Sequence, residues 1–429
     1  MLSICRPMTV RCAILAGIAL GCRPAPQPAT GLRETGAVAA TTASGSLNRS
    51  DAPSAPSVDP WPELILFAPG VDPRVAAFIG PTIRADDGRA LGGPFASFER
   101  RWVQFGERHW RDPKDRFGNY YDRALSHYAL WLRTGEPRWR RRADSIALDY
   151  RTYLEGLQAD LGRRDASGRP RLDPAPYSTS PHNTFPEGLA IHYLLTGDPA
   201  SREAVAGLAH YAVNYRSDSP GYRYQEGRIQ ARGVIAALSA LAIGHDGRFV
   251  SADGRKHEYD WGAIADEFVD NWVKLQREDG SFRYRLDTEK ANGPMGQSNF
   301  MEGLRANALI KYYQLRKQDP RVERMVRRMA DYMATQWDDD VGAFRYHDVD
   351  GRVEPTLVDL NHLIVEMFGF AYHQTGEQRY RTIGDAAFDA GEPPFPRAYR
   401  AAGAGEFMDG SKQFNQHHYG AFRYLAFRR

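Results

Sequence analysis

Carboxylates, amides, imidazoles and guanidinium groups recur at one kind of place in this chain, at or just ahead of the first turn of an apolar run. The groups are Asn119 and Asp122; His182, Asn183 and Glu187; Glu226 and Arg228; Asn299, Glu302 and Arg305; Asp359, Asn361 and His362; and Lys412, Asn415, His417 and His418. Such side chains could work in three ways. In glycoside hydrolysis one carboxyl protonates the leaving oxygen while a second activates water or attacks. Glu187, Glu226, Glu302 and Asp359 are the candidates for that, with Arg228 and Arg305 placed to bind a sugar acid. In elimination or epimerisation a base removes the proton beside a carboxylate, and a cation or amide neutralises the charge that develops. His182 with Asn183, Arg305, and His417 with Lys412 suit that chemistry. In the third reading there is no reaction, and the same groups hold a glycan or a partner protein.

Beyond the catalytic candidates, Asn183, Arg228, Asn299, Arg305, His362, Lys412 and Asn415 are expected to contact substrate, with Tyr121 and Tyr224 among the aromatic residues at the rim. Tyr120, Phe185, Tyr222 and Phe300 complete that rim. Each polar group also has a structural use. Acids in a first helical turn are stabilised by the helix dipole, and Asn caps helices. His127 and His192 sit inside apolar helices and read as packed. The chain has no HExxH or comparable ligand spacing, so no transition-metal site is expected. Asp338-Asp339-Asp340 lacks the glycine and glutamate of a calcium loop and reads as a solvated turn. There is no GxSxG and no phosphate loop, and no cofactor is expected.

The elements that must position these groups are helical hairpins. In Asn299–Tyr346, Phe300, Leu304, Ala308 and Tyr312 recur every fourth residue. That is the spacing of an apolar helix face. Lys317-Gln318-Asp319-Pro320 forms the turn, with Asp319 as cap and Pro320 at the first helical position. Val322, Met325, Val326, Met329, Met333 and Trp337 mark the second helix.

Similar pairs run through the chain. They are Tyr120–Arg133 with Arg138–Leu157, Thr184–Leu195 with Ala200–Tyr215, Gln225–Ile243 with Trp261–Arg277, and Leu357–Gln374 with Arg379–Ala390. A last helix, Phe414–Phe427, stands alone, and a segment near Phe95–Phe105 would pair with it and close a ring. Before Asn119, the short runs Glu63–Phe67, Val75–Ile79 and Trp102–Phe105 read as strands or irregular packing segments. If the first helices form an inner ring, their N-termini and the polar groups converge on one mouth. Helix N-termini also favour anionic ligands such as uronates.

Bulk composition narrows the classes. Of 429 residues, 42% are hydrophobic and 25% charged, and the net charge is only +3 with no basic block, so nucleic acid is not an expected partner. Aromatic residues make up 12%, including 22 Tyr and 8 Trp, which suits sugar faces as well as cores. At the N-terminus, Arg6 and Arg11 precede an apolar run from Cys12 to Cys22. About ten apolar residues are too few for a permanent membrane span but suit a signal peptide.

Leu20-Gly21-Cys22 resembles a bacterial lipoprotein signal, with Ala19 where Leu is usual. The resemblance implies cleavage and acylation at Cys22 and anchoring to a membrane of the cell envelope, or secretion if Cys22 is not acylated. Cys5, Cys12 and Cys22 are the only cysteines, so the mature chain is expected to hold no disulfide. The expected organisation is a signal peptide over 1–22, a Pro- and Ser-rich tether over 23–59, an N-terminal extension over 60–118 and a helical ring over 119–429.

The repeats are visible in residues too. Thr134-Gly135-Glu136, Thr196-Gly197-Asp198 and Thr375-Gly376-Glu377 each follow an apolar helix. Glu-Gly-Leu recurs at Glu187–Leu189 and Glu302–Leu304, and a Ser-Phe-Arg-Tyr exit at Ser281–Tyr284 is echoed by Ala343–Tyr346. Together with the aromatic-rich first helices, these features resemble the six-hairpin glycosidase-like superfamily. The resemblance covers Asn119 to the end and implies an all-α (α/α)6 toroid with a small irregular or β N-terminal segment. It also implies action on an oligo- or polysaccharide. That superfamily includes glycoside hydrolases, unsaturated glucuronyl hydrolases, sugar 2-epimerases and polysaccharide lyases. No catalytic motif of any one member is matched, so the three readings stand, with hydrolysis first.

Overall fold

A computed structural model describes residues 60–110, 119–161, 184–218, 226–250, 254–286, 294–349, 352–353, 358–392 and 411–429. The expected signal peptide, the expected lipidation site Cys22, and His182, Asn183, Tyr222 and Tyr224 lie outside these residues, and the side chain of Lys412 is not described. No helix among the described residues is long and apolar enough to cross a membrane.

Two kinds of helix alternate. α4 (Arg123–Thr134), α6 (Glu187–Thr196), α8 (Gly227–Ala242), α10 (Asn299–Leu315) and α12 (Val365–Thr375) are buried on nearly all sides. α5 (Pro137–Leu161), α7 (Pro199–Asp218), α9 (Trp261–Leu275), α11 (Pro320–Ala334) and α13 (Gln378–Gly391) follow them. α11 shows the logic of this second class. Val322, Met325, Val326, Met329 and Met333 are buried at three- and four-residue steps, while its arginines face outward. Each buried helix packs on the one after it in the hairpin: α4 on α5, α6 on α7, α8 on α9, α10 on α11 and α12 on α13.

The inner helices also contact one another in sequence from α4 through α6, α8, α10 and α12. The C-terminal pair α14 (Ser411–His418) and α15 (Ala421–Phe427) closes that circle, α15 against α12 and α14 against α4. α14 takes α3 (Gly93–His109) as its outer partner. Trp102 stacks on His418 at 4.7 Å between ring centroids, and Phe98 lies 4.9 Å from the same ring. The sixth hairpin is therefore made from the two ends of the described chain, as the Phe95–Phe105 segment foreshadows.

The 60–118 segment departs from the sequence reading in its local structure. α1 (Pro73–Ile79) and α2 (Ala85–Ala90) precede α3. Val75–Ile79 and Trp102–Phe105, read above as strands or irregular runs, are helical, and the strand content among the described residues 60–110 is one parallel bridge from Ile65 to Thr82. The segment's polar positions explain the misreading. Glu99, inside α3, looks like a break in an apolar run. It is fully buried and paired to the equally buried Arg133 of α4.

The inner-to-outer turns behave as their sequence suggests. Gly135, Gly197 and Gly376 adopt φ of 72°, 71° and 71°, the left-handed conformation in which only glycine is unstrained. Their N–H groups bond back to Trp131, Tyr193 and Tyr372. Asp198 and Asp319 cap the helices that follow, whereas Glu377 does not and pairs with Arg379 instead. These turns are short. The connections into the inner helices are longer, and those into α10 and α12 together carry a four-stranded sheet in the order β1 (Tyr284–Arg285), β2 (Met295–Ser298), β3 (His347–Val349) and β4 (Arg352–Val353). Long connections thus gather at the N-terminal ends of the inner helices, where loops carry binding groups in many scaffolds.

Candidate functional site

Small residues at the first turns bring the inner helices close together at that end. A Cβ on Gly188 would lie 2.5 Å from Ala124 Cβ and 2.7 Å from the Asp122 carboxylate. One on Gly227 would lie 2.6 Å from the Met301 carbonyl and 2.7 Å from Glu302 Oε1, and one on Gly303 would lie 2.6 Å from the Leu363 carbonyl. The Glu-Gly pattern therefore sets acids at the starts of the inner helices and lets the backbones crowd around them. Tyr121 and Asp122 enter α4 with φ of 62° and 54°, unusual for residues with a Cβ and the kind of strain that gathers at working sites.

Two polar centres occupy this ring. The outer one is the less deeply buried, with the side chains of Arg228 and Glu226 18% and 14% exposed. Glu226 pairs with Arg228 at 2.9 Å, and Arg228 donates to the Tyr120 hydroxyl at 3.0 Å. Tyr346, partly buried beside Phe300, is near enough to Arg228, Glu226 and Asp359 to feel their charges. Tyr120 meets Tyr121 and Phe185 at 4.7 and 5.5 Å between centroids, and Phe300 meets Tyr346 at 5.3 Å. Behind this rim lies Glu302. Its carboxyl is 1% exposed, beside Arg305 at 3.1 Å but with neither oxygen in a hydrogen bond of good geometry. Burial raises its pKa to about 7, against the pull of Arg305 and Tyr284 and with help from the nearby Glu226. Arg305 lies over the Phe282 ring at 3.8 Å and is held down by the same burial.

The inner centre lines the shaft. Glu187 accepts from Tyr419 at 3.1 Å and sits 3.5 Å from Lys311 and 3.9 Å from Arg423. Arg423 reaches Glu366 at 3.5 Å, and Asn307 donates to Glu366 as well. Arg232 donates to Tyr419 at 2.9 Å. Burial raises Glu366 to about 7, and raises Asp122 to about 7 with help from the Glu187 charge. Burial lowers Lys311 to about 8. α1 closes the far end. Its last carbonyls, from Ala77, Phe78 and Ile79, accept from Gln314, Lys311 and Arg423, so cations meet the negative end of a helix dipole. A cavity of about 10 Å³, room for a single water, remains among these side chains.

The sequence-derived candidates therefore separate. Glu226, Arg228, Asp359 and Glu302 with Arg305 belong to the mouth, and Tyr121 lies between it and the shaft, 5.8 Å from Tyr419. Glu187 belongs to the shaft. Asn299 and Asn415 serve the scaffold. Asn299 donates to the Arg345 carbonyl at 2.7 Å, with Ser298 as the helix cap, and Asn415 donates to the Tyr120 carbonyl at 3.0 Å. His362 and His417 turn toward α3 and α13, where they meet Glu392 and the Phe98 ring. His127 and His192 are packed as read, bonded to the Arg123 carbonyl and to Ser201.

Reading the sequence missed Lys311 and Arg232, which sit more than a turn into α10 and α8, and Glu366 and Arg423, which lie in the first turns of α12 and α15. The only available signal was the presence of charged residues in otherwise apolar helices.

No protein-family model matches the chain, and no curated protein does. Solved structures do. A glycosyl hydrolase of family 88 from Bacteroides vulgatus aligns at TM-score 0.51 and 12% identity, over 76% of this chain and 99% of that one. The chain has the six-hairpin (α/α)6 fold. A polysaccharide lyase aligns with this ring at TM-score 0.46 and 11% identity, over 73% and 89% of the two chains. A cellobiose 2-epimerase from Bacillus thermoamylovorans B4167 aligns at 0.44 and 11%, over 67% and 74%. At 12% identity the family 88 hydrolase shares the fold alone, and the chemistry must be argued from the residues at the mouth of the ring.

Proposed function

We propose that this chain is an exported, lipid-anchored carbohydrate-active enzyme that hydrolyses a glycosidic bond in an acidic glycan. One observation carries the reading. Glu302 is fully buried with its pKa raised to about 7, so a carboxyl still partly protonated at neutral pH stands near the less deeply buried Glu226, whose chain neighbour Gly227 packs on it. That pairing of environments is the working arrangement of carboxylate acid–base catalysis. Glu302 acts as the proton donor to the leaving oxygen, and Glu226 activates water or attacks. Arg228, cationic and backed by Glu226 and Tyr120, supports recognition of a uronate carboxylate. Tyr120, Phe300 and Tyr346 offer faces for sugar rings. Cys22 is the proposed site of lipid attachment.

The test is a panel of acidic polysaccharides digested with purified protein. Reducing ends that appear without the near-ultraviolet absorbance of an unsaturated uronate are the expected result. New absorbance would replace hydrolysis by elimination. Retention on a glycan array with neither signal would leave a binding protein.

A further inference from the structure

Away from the mouth, three buried groups from three distant stretches of chain meet at the seam where the ring closes. His362 comes from the 3-10 turn Val358–Leu363 ahead of α12, Glu392 from just past α13, and His417 from α14. One nitrogen or oxygen from each lies within 4.8 Å of the other two. All are at most 6% exposed. The mechanism proposed above uses none of them.

We propose that His362, Glu392 and His417 bind one zinc-like divalent transition metal, which clamps the fifth hairpin to the C-terminal helices. Three features support this. His362 Nε2 lies 3.0 Å from the Phe388 carbonyl, so that nitrogen carries the hydrogen and Nδ1 presents its lone pair. Nδ1 is buried and has no hydrogen bond. A ligand imidazole whose other nitrogen donates to a carbonyl is the usual outer-shell arrangement at metal sites.

On the acidic side, Glu392 Oε1 lies 2.6 Å from His417 Nε2, while Oε2 is buried without a hydrogen bond and 3.7 Å from Arg101. Finally, a Cβ on Gly391 would lie 2.7 Å from the His362 ring, so glycine allows the chain to bring Glu392 against it.

Two imidazoles and one carboxylate suit zinc and its neighbours, whereas calcium and magnesium take oxygen donors.

The full chain with Cys5, Cys12 and Cys22 changed to Ser, stripped with chelator, is titrated with Co2+ and with Zn2+. Uptake of one equivalent is expected, with visible Co2+ absorption and a rise in unfolding temperature on adding Zn2+. His417→Gln and Glu392→Gln are each expected to weaken Zn2+ binding on the order of a hundredfold or more, since loss of even an outer-shell partner costs 10–100-fold. If His417→Gln does not fold, the shape-conserving Glu392→Gln decides. Absence of saturable uptake, a preference for Ca2+ or Mg2+, or unchanged affinity in Glu392→Gln overturns the proposal.

Discussion

Replacing Glu302 by Gln tests the protonation state on which the catalytic reading rests, without needing a substrate. Glu302 has an ordinary carboxyl pKa of 4.5 when exposed and about 7 when buried in the folded protein. The folded chain therefore binds more protons than the unfolded chain between those values, and stability falls as pH rises through them. The contribution is fully present below about pH 4.5 and is lost as pH climbs through 7. Each pKa unit is about 1.4 kcal/mol, so ionised Glu302 costs about 3 kcal/mol at pH 8 but under about 1 kcal/mol at pH 5. Glutamine keeps the shape and carries no charge at either pH.

Urea unfolding of both proteins at the two values measures the difference. The variant is expected to be close to wild type at pH 5 and more stable by about 3 kcal/mol at pH 8. A variant less stable than wild type at both values would mean that Glu302 is an ordinary carboxylate paired to Arg305. It would then have no proton to give at neutral pH, and the reasoning would fail.

Other outcomes follow from the same geometry. Glu302 must be protonated to act, so turnover is expected to fall as pH rises past about 7, and a rate that keeps rising to pH 9 would contradict the assignment. Arg133→Met leaves the fully buried Glu99 without its partner and should cost about 3–5 kcal/mol in thermal or urea unfolding. Gly227→Ala forces a Cβ to within 2.7 Å of Glu302 Oε1, so a stability loss of about 1–3 kcal/mol should accompany lost turnover. Wild-type behaviour of that variant would show that the contact is slack.

What was legible in the sequence was local. The Thr-Gly-Glu and Thr-Gly-Asp turns announce themselves because a left-handed glycine closes each helix, and the outer helices do so because one face is apolar. The inner helices hide more. In α10, Glu302, Arg305, Asn307 and Lys311 are all buried, and the three- and four-residue spacing of its apolar residues reads as a single face. Their partners come from α1, α6, α8 and α12, so only the curvature of the ring decides which polar residues meet. Convergence of the first turns was readable, but the division into a mouth and a shaft was not. That division depends on depth: Glu226 stands at the N-cap of α8, whereas Glu187 is drawn into the shaft by Lys311 and Tyr419. His362, Glu392 and His417 share no motif because the seam joins them only in three dimensions. The helical character of 60–110 was obscured by the buried Glu99 and by glycines that bound short helices.

The central claim is that Glu302 and Glu226 do the chemistry at the mouth. Its most direct test is turnover, on the acidic glycan that responds, by Glu302→Gln and Glu226→Gln with helix content followed by circular dichroism. Each variant should lose activity by about 10²–10⁴-fold, the usual worth of a positioned acid or base, at unchanged helicity. Full turnover by either one would contradict the account.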